Sequence, residues 1–195
     1  LQLQLDGLLG LLRGGEPLGI DRMARKLEVA IRQVDRLTEL VDELVDASRI
    51  SQGRFSVELG DVDLERVVRD VVEHFSAEAA RARCPIALRT CGPLPMRGDA
   101  FRLEQVVANL ISNAIKYGRE RGVDVELSAD DLRARLVVRD GGIGVAPGDR
   151  ERIFERFERA VSVHNYGGLG LGLFISREIV EAHGGEIRVE PRDTQ

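Results

Sequence analysis

Residues 132–144 read LRARLVVRDGGIG. Up to Arg139 apolar and polar side chains alternate, the period of a half-buried strand, and the strand runs into an aspartate followed by Gly141, Gly142 and Gly144. A similar alternation occupies Asp124–Ser128. With a turn at Ala129–Asp131 between them, the two runs predict a β-hairpin. Asp140 then stands at a strand end, where its carboxylate can accept a hydrogen bond from an amino group. The glycines beyond it let the backbone turn tightly and come close to a ligand. By itself such an element specifies only a turn, so its meaning depends on what surrounds it.

Downstream lies Gly167-Gly168-Leu169-Gly170-Leu171-Gly172-Leu173, followed by the helical pattern FISREIVEAHGG. Glycines that open a helix expose unpaired N–H groups, and the helix dipole adds positive potential there, which favours phosphate. The run lacks the Gly-Lys-Ser/Thr of a P-loop. It also does not follow a strand within a βαβ unit, which disfavours a dinucleotide fold. Upstream, FRLEQVVANLISNAIKYG (101–118) reads as a helix capped by Asp99. Val106, Val107, Leu110, Ile111 and Ile115 supply its buried face. Asn109 and Asn113, four apart, share another face with Lys116. Two amide oxygens and an ammonium on one face suit a polyphosphate carrying Mg²⁺, a metal that takes few protein ligands and completes its shell with water and phosphate.

The remaining elements divide the chain in two. Residues 1–60 are purely helical in pattern. An apolar helix over 1–13 is broken by Gly14, Gly15, Pro17 and Gly19, and a long helix runs from Ile20 to about Ser51. Ile20, Leu27, Val34 and Val41 fall seven apart, and Met23, Ala30, Leu37 and Leu44 follow each by three. Ala24, Ile31 and Val45 widen the stripe beyond what a two-stranded seam needs. Two antiparallel helices cannot bury such a stripe alone. A second copy of the hairpin completes a four-helix bundle, so a homodimer is expected. Residues 61–195 mix helices and strands. A helix capped by Asp63 runs to about Arg83, a strand over Pro85–Thr90 follows, and a short helix over Glu151–Arg159, a longer one over Leu171–Ala182 and a final strand over Glu186–Val189 complete the set. The expected class is α+β: a helical hairpin, then a two-layer α/β sandwich with an antiparallel-leaning sheet.

Composition narrows the function. The 195 residues are 43% hydrophobic and 31% charged with a net charge of −5. That balance opposes a nucleic-acid partner, since neutralising phosphates takes a basic face. No run of about 18 apolar residues occurs, so any membrane attachment is expected from segments outside this sequence. The first residues read as an amphipathic helix and not as a signal peptide. Cys84 and Cys91 are expected to be free thiols in a reducing cytoplasm.

The three motifs, in this order and spacing, resemble the GHKL ATPase superfamily and, within it, the histidine kinases. Asn109–Tyr117 resembles the N box, Asp140–Gly144 the first glycine box, Ile153–Phe157 the F box and Gly168–Gly172 the second glycine box. The stretch LVDELVDASRISQGRF resembles the second half of a dimerisation and histidine-phosphotransfer domain. The resemblance spans nearly the whole chain and implies the following roles. Asn113 coordinates Mg²⁺ with Asn109 beside it. Lys116 contacts phosphate, Tyr117 packs on adenine, and Asp140 accepts from the adenine amino group. Gly142, Ile143 and Gly144 form the pocket wall. Gly168, Leu169, Gly170, Leu171 and Gly172 hold the triphosphate of ATP. Residues 145–167 are the ATP lid, anchored by Phe154 and Phe157, and Arg159 neutralises charge on the phosphoryl group in flight.

GHKL enzymes that hydrolyse ATP carry a glutamate in place of Asn109. An amide cannot take a proton from water, so Asn109 favours transfer to a histidine. The reaction implied is passage of the γ-phosphoryl to a histidine and then to an aspartate of a response-regulator receiver domain. The alternative is a nucleotide-binding regulatory module without transfer. The family's acceptor histidine precedes the position of Leu1, so activity of this chain is expected only in trans. His74, His164 and His183 do not replace it. The family's last strand after Val189 is also expected to be missing.

Overall fold

The computed structural model describes residues 20–118, 121–130, 132–158 and 169–191 of the chain, with side chains from Met23 onward. The helix expected over 1–13 lies outside them. Two compact units divide between Ser48 and Arg49. The first consists, among the described residues, of most of α1 (Ile20–Ser51). Its expected stripe is real and open: Leu27, Ile31, Val34, Leu37, Val41 and Leu44 are each 49–56% exposed, whereas Ala30 and Ala47 are buried.

The second unit is the α/β sandwich. Its elements are β1 (Gly60–Asp63), α2 (Leu64–Arg81), β2 (Ile86–Thr90), β3 (Pro95–Gly98), α3 (Ala100–Tyr117), β4 (Val123–Ala129), β5 (Ala134–Asp140) and α4 (Gly172–Ala182). β4 and β5 form the expected antiparallel hairpin. β2 pairs with β4 in parallel, so the sheet is mixed. Parallel neighbours need a long crossover, and α3 lies in the one between β2 and β4. β1 and β3 make a separate two-stranded antiparallel ribbon that the sequence reading does not contain.

The core lies between this sheet and the helices. Along β4, Val123, Val125 and Leu127 point inward and are almost fully buried, while Asp124 and Glu126 face solvent or lie at the rim. They meet Val68, Val71 and Ala79 of α2 and Val107, Ile111, Ala114 and Ile115 of α3. Each large aliphatic side chain buried this way contributes about 1.5–3 kcal/mol. α3 is the hub, packing on α2, on α4 and on the sheet.

Both expected caps form, and each reaches beyond its own helix. Asp63 Oδ1 accepts from the N–H groups of Glu65 (3.1 Å) and Leu94 (2.9 Å). Asp99 accepts from Arg102 N–H (3.2 Å) on one oxygen and from Glu58 N–H (2.9 Å) on the other. The Asp99 N–H in turn donates to His183 Nε2 at 2.9 Å, while His183 Nδ1 lies 2.7 Å from the Ile179 carbonyl. Nδ1 therefore carries the proton, and the ring ties the end of α4 to the start of α3.

α2 and α4 end alike. After α4, Gly184 N–H meets Glu181 O, Gly185 N–H meets Val180 O, and Gly184 takes φ +74°. After α2, Arg83 N–H meets Ala80 O, Cys84 N–H meets Ala79 O, and Arg83 takes φ +52°. Both are Schellman closures, but only one puts glycine in the left-handed position. The closure of α2 also explains its buried free thiol, because Cys84 packs back on the helix it ends; Cys91 is free and exposed.

Two expected elements differ. Over 151–159 there is no α-helix among the described residues, only a short 3₁₀ turn at Arg152–Phe154 that follows another at Pro147–Asp149. Residues 186–189 form no strand. Arg188 pairs with Glu186 (3.2 Å) and Glu190 (3.0 Å), and Glu190 reaches Arg135 of β5 (2.8 Å). The segment thus meets the sheet through charges, without a backbone ladder.

Replacing Arg83 by glycine removes a left-handed side-chain penalty, less the entropy glycine brings. Arg83→Gly is expected to stabilise the protein by about 0.5–1 kcal/mol, read as a higher denaturant midpoint at unchanged slope. Asp99→Ala is expected to cost about 1–2 kcal/mol at neutral pH. Partial burial pushes the Asp99 carboxyl up, but the N–H groups of Glu58 and Arg102 and the Arg102 guanidinium hold it below the usual range. Its contribution is therefore complete above the unfolded-state carboxylate pKa and is lost as pH falls through the lower folded value. The gap between Asp99→Ala and the unmodified protein should close in acid unfolding curves.

Candidate functional site

α3 presents two faces. Ile111 and Ile115 enter the core, while Asn109 and Asn113 lie one turn apart on the side towards α4. Asn113 Nδ2 donates to Asn109 Oδ1 at 3.1 Å, and Asn109 Nδ2 donates to Ser176 Oγ of α4 at 2.9 Å. The Asn109 amide sits against Gly172: a Cβ there would come within 2.4 Å of Asn109 Oδ1. Glycine at 172 thus leaves the room that the Asn109 amide occupies, in addition to opening the helix.

At the other end of α3, Gly142 is equally constrained. A Cβ would lie 2.0 Å from the Tyr117 carbonyl oxygen and 2.6 Å from Asp140 Oδ1. Gly142 N–H donates to that same Asp140 oxygen at 2.7 Å, which fixes the carboxylate at the end of β5. Lys116 Nζ stands 5.1 Å over the Tyr117 ring. Ile143 is partly exposed on the loop beyond, and Gly144 takes φ +69°.

α4 opens onto this region uncapped. Leu171 precedes it with no side-chain cap among the described residues, and no acidic residue stands in the first turn. α2 and α3, by contrast, have their amino ends closed by Asp63 and Asp99. The first N–H groups of α4 and its positive dipole end are therefore available to an anion. Leu171 itself is fully buried, so its side chain belongs to the core and only its backbone is placed for a ligand. Leu169 is half-buried, and Gly170 takes φ +73° with its carbonyl accepting from Phe157 N–H at 3.0 Å.

The segment before the second glycine run is anchored unequally. Ile153 and Phe154 are buried. Phe157 is 64% exposed and has φ +63°, which corrects its expected role as a second apolar anchor. An aromatic residue held in the left-handed region is strained by about 1–3 kcal/mol. Arg156 lies beside it, its guanidinium 4.7 Å over the Phe174 ring and its Nη1 donating to Ser51 Oγ at 2.5 Å. Arg159 and Gly168 fall outside the described residues, as do Gly167 and His164.

The expected residues thus gather at two places on α3. Asn109, Asn113 and Gly172 meet where α3 crosses α4, and Tyr117, Lys116, Asp140 and Gly142 meet at its far end. Ser176 was not anticipated as a site residue. It lies four residues after Gly172, hence on the same face of α4, which is the signal that could have found it.

Three comparisons bear on this geometry. Residues 98–195 match the family of histidine kinase-, DNA gyrase B-, and HSP90-like ATPases. The chain is 36% identical over 175 residues to the sensor-like histidine kinase SenX3 of Mycobacterium tuberculosis, covering 87% of this chain and 42% of that protein. It is 32% identical over 169 residues to the sensor histidine kinase MtrB of Mycolicibacterium paratuberculosis, covering 85% and 30%. Among solved structures, full-length ShkA in complex with AMPPNP superposes with a TM-score of 0.73 at 33% identity, over 97% of this chain and 39% of that one. The mycobacterial sensor histidine kinase MprB superposes with a TM-score of 0.60 at 32% identity, over 68% and 85%. This chain spans less than half the length of these curated relatives. Motif order, fold and these likenesses agree: the chain belongs to the histidine kinase-, DNA gyrase B-, and HSP90-like ATPases, as a sensor histidine kinase catalytic domain.

Proposed function

We propose that this chain binds ATP with Mg²⁺ along α3 and passes the γ-phosphoryl to a histidine on a partner segment, from which it moves to a receiver-domain aspartate of a response regulator. The observation that carries this reading is the state of Asn109. Its amide nitrogen is committed to Ser176 and its oxygen to Asn113. An amide is not basic enough to take a proton from water, so Asn109 cannot act as the base that hydrolysis needs. A neutral imidazole is already a nucleophile and dispenses with that base.

The donors fit Mg²⁺. Asn113 spends its nitrogen on Asn109, and its Oδ1 accepts no hydrogen bond among the described residues. That leaves a hard oxygen of the kind the ion takes. No cluster of three His, Cys, Asp or Glu that could hold a metal occurs among the described residues, so an ion held by Asn113 would take its other ligands from phosphate and water. Bound there, the ion would neutralise charge on the phosphates. Asp140, held by Gly142 N–H through one oxygen, offers the other to the adenine amino group. Tyr117 flanks the base, Lys116 and Arg159 supply positive charge, and the uncapped N–H groups of α4 receive the phosphates.

His183 is not the acceptor, because both ring nitrogens are engaged in the fold. The open stripe of α1 supports a homodimer in which residues 1–60 form half of a four-helix bundle and 61–195 the ATP-binding domain. No described helix is long and apolar enough to cross a membrane. A cytoplasmic site of action, with any membrane attachment made by other segments, fits this.

Incubating the chain with γ-labelled ATP, Mg²⁺ and a separate acceptor-histidine bundle should label the bundle with acid-labile phosphate. ATP binding without transfer would favour a regulatory module instead. Asn113→Ala should lower Mg²⁺-dependent ATP affinity by about tenfold or more in calorimetry and suppress labelling in parallel. Asp140→Asn should erode the preference for ATP over GTP. Equal binding of the two nucleotides by the unmodified protein would refute the role given to Asp140.

A further inference from the structure

We infer that Ser176 is a positioning residue for the metal, setting which end of the Asn113 amide faces the cation. This rests on the reading of Asn113 as a Mg²⁺ ligand and extends it to a residue in none of the recognised motifs. Ser176 is 2% exposed and lies on α4, one turn after Gly172. It is joined to the site by a chain of two carboxamides, Ser176 Oγ to Asn109 Nδ2 at 2.9 Å and Asn109 Oδ1 to Asn113 Nδ2 at 3.1 Å.

A carboxamide has a donor end and an acceptor end, and a half-turn about its last bond exchanges them at little steric cost. Nothing in the shape of an asparagine decides its orientation, so a neighbouring group must. In the structure the Ser176 hydroxyl oxygen stands as the acceptor for the Asn109 amide, so it takes the amide's donor end. With its nitrogen drawn to Ser176, Asn109 turns its oxygen to Asn113. Asn113 must then meet that oxygen with its nitrogen, and its own oxygen is left for the ion. The Asn109 amide lies in the space beside Gly172, where a Cβ would come within 2.4 Å of its oxygen.

Removing the hydroxyl breaks the chain at its buried end, where water has little access. An Asn109 amide without that acceptor gains by turning its nitrogen elsewhere. Asn113 then follows and presents NH₂ to the cation. The effect is specific to the metal, because adenine recognition at Asp140 and phosphate binding at the start of α4 use other groups.

The test is calorimetry of the full chain with the non-hydrolysable analogue AMPPNP, once in EDTA and once across a Mg²⁺ titration, beside thermal unfolding. Ser176→Ala, and the near-isosteric Ser176→Cys with its weak acceptor, should bind AMPPNP in EDTA like the unmodified protein. Both should lose about tenfold of the Mg²⁺-dependent gain, the range typical of groups that orient a metal ligand. Ser176→Thr, which keeps the hydroxyl, should retain the gain. An undiminished gain in Ser176→Ala and Ser176→Cys would overturn the positioning role alone, as would an equal loss in EDTA and in Mg²⁺. Absence of any Mg²⁺-dependent gain in the unmodified protein would overturn the underlying reading of Asn113 as well.

Discussion

The ligand end of this domain depends on one close approach, the Asn109 amide lying where a side chain on residue 172 would have to be. Because Gly172 is bare, α4 can lie against the polar face of α3 and still begin at the site with its amino end open. The same contact brings Ser176 within reach of Asn109. A larger residue at 172 would displace the Asn109 amide or push the helices apart, and either breaks the alignment of the amides with the helix end that faces them. A helix contact and a binding site are here one object.

The division of labour among helix ends follows. α2 and α3 close their amino ends with aspartates that also bond distant segments, Leu94 in one case and Glu58 in the other, so capping doubles as tertiary structure. α4 begins with Leu171, whose side chain is committed to the core and cannot cap. Its carboxyl end is fastened instead, by Gly184 and by His183 bridging to Asp99. The helix is thus fixed at the end remote from the glycine run and open at the near end.

Much of this was legible in the sequence, for definite reasons. The long helices show because apolar spacing over many residues is unambiguous: Ile20–Ser51 came out with its expected bounds, and Asp63 and Asp99 announced their helices by chemistry. The site residues on α3 were legible because helical periodicity alone puts Asn109 beside Asn113. The ribbon of β1 and β3 was not, since four residues containing glycine or proline carry no usable alternation. Nor was the parallel pairing of β2 with β4, which depends on how α3 crosses between them. Residues 186–189 alternate like a strand, but a strand exists only where a ladder forms, and pattern cannot report that. Ser176 stayed invisible for the opposite reason: a lone serine on an apolar helix face reads as packing, and its meaning appears only once α4 is laid on α3.

The uncapped start of α4 has a thermodynamic corollary. Donors with no partner among the described residues make the folded state a reservoir of unspent affinity, so its stability tracks the concentration of whatever anion fills them. By mass action, a ligand at one hundred times its dissociation constant adds about 2.7 kcal/mol to the folding free energy. That is a sizeable fraction of the roughly 5–15 kcal/mol by which domains typically hold together. Where the aspartate-capped helices are equally secure in full and empty protein, this one makes the fold itself a gauge of supply.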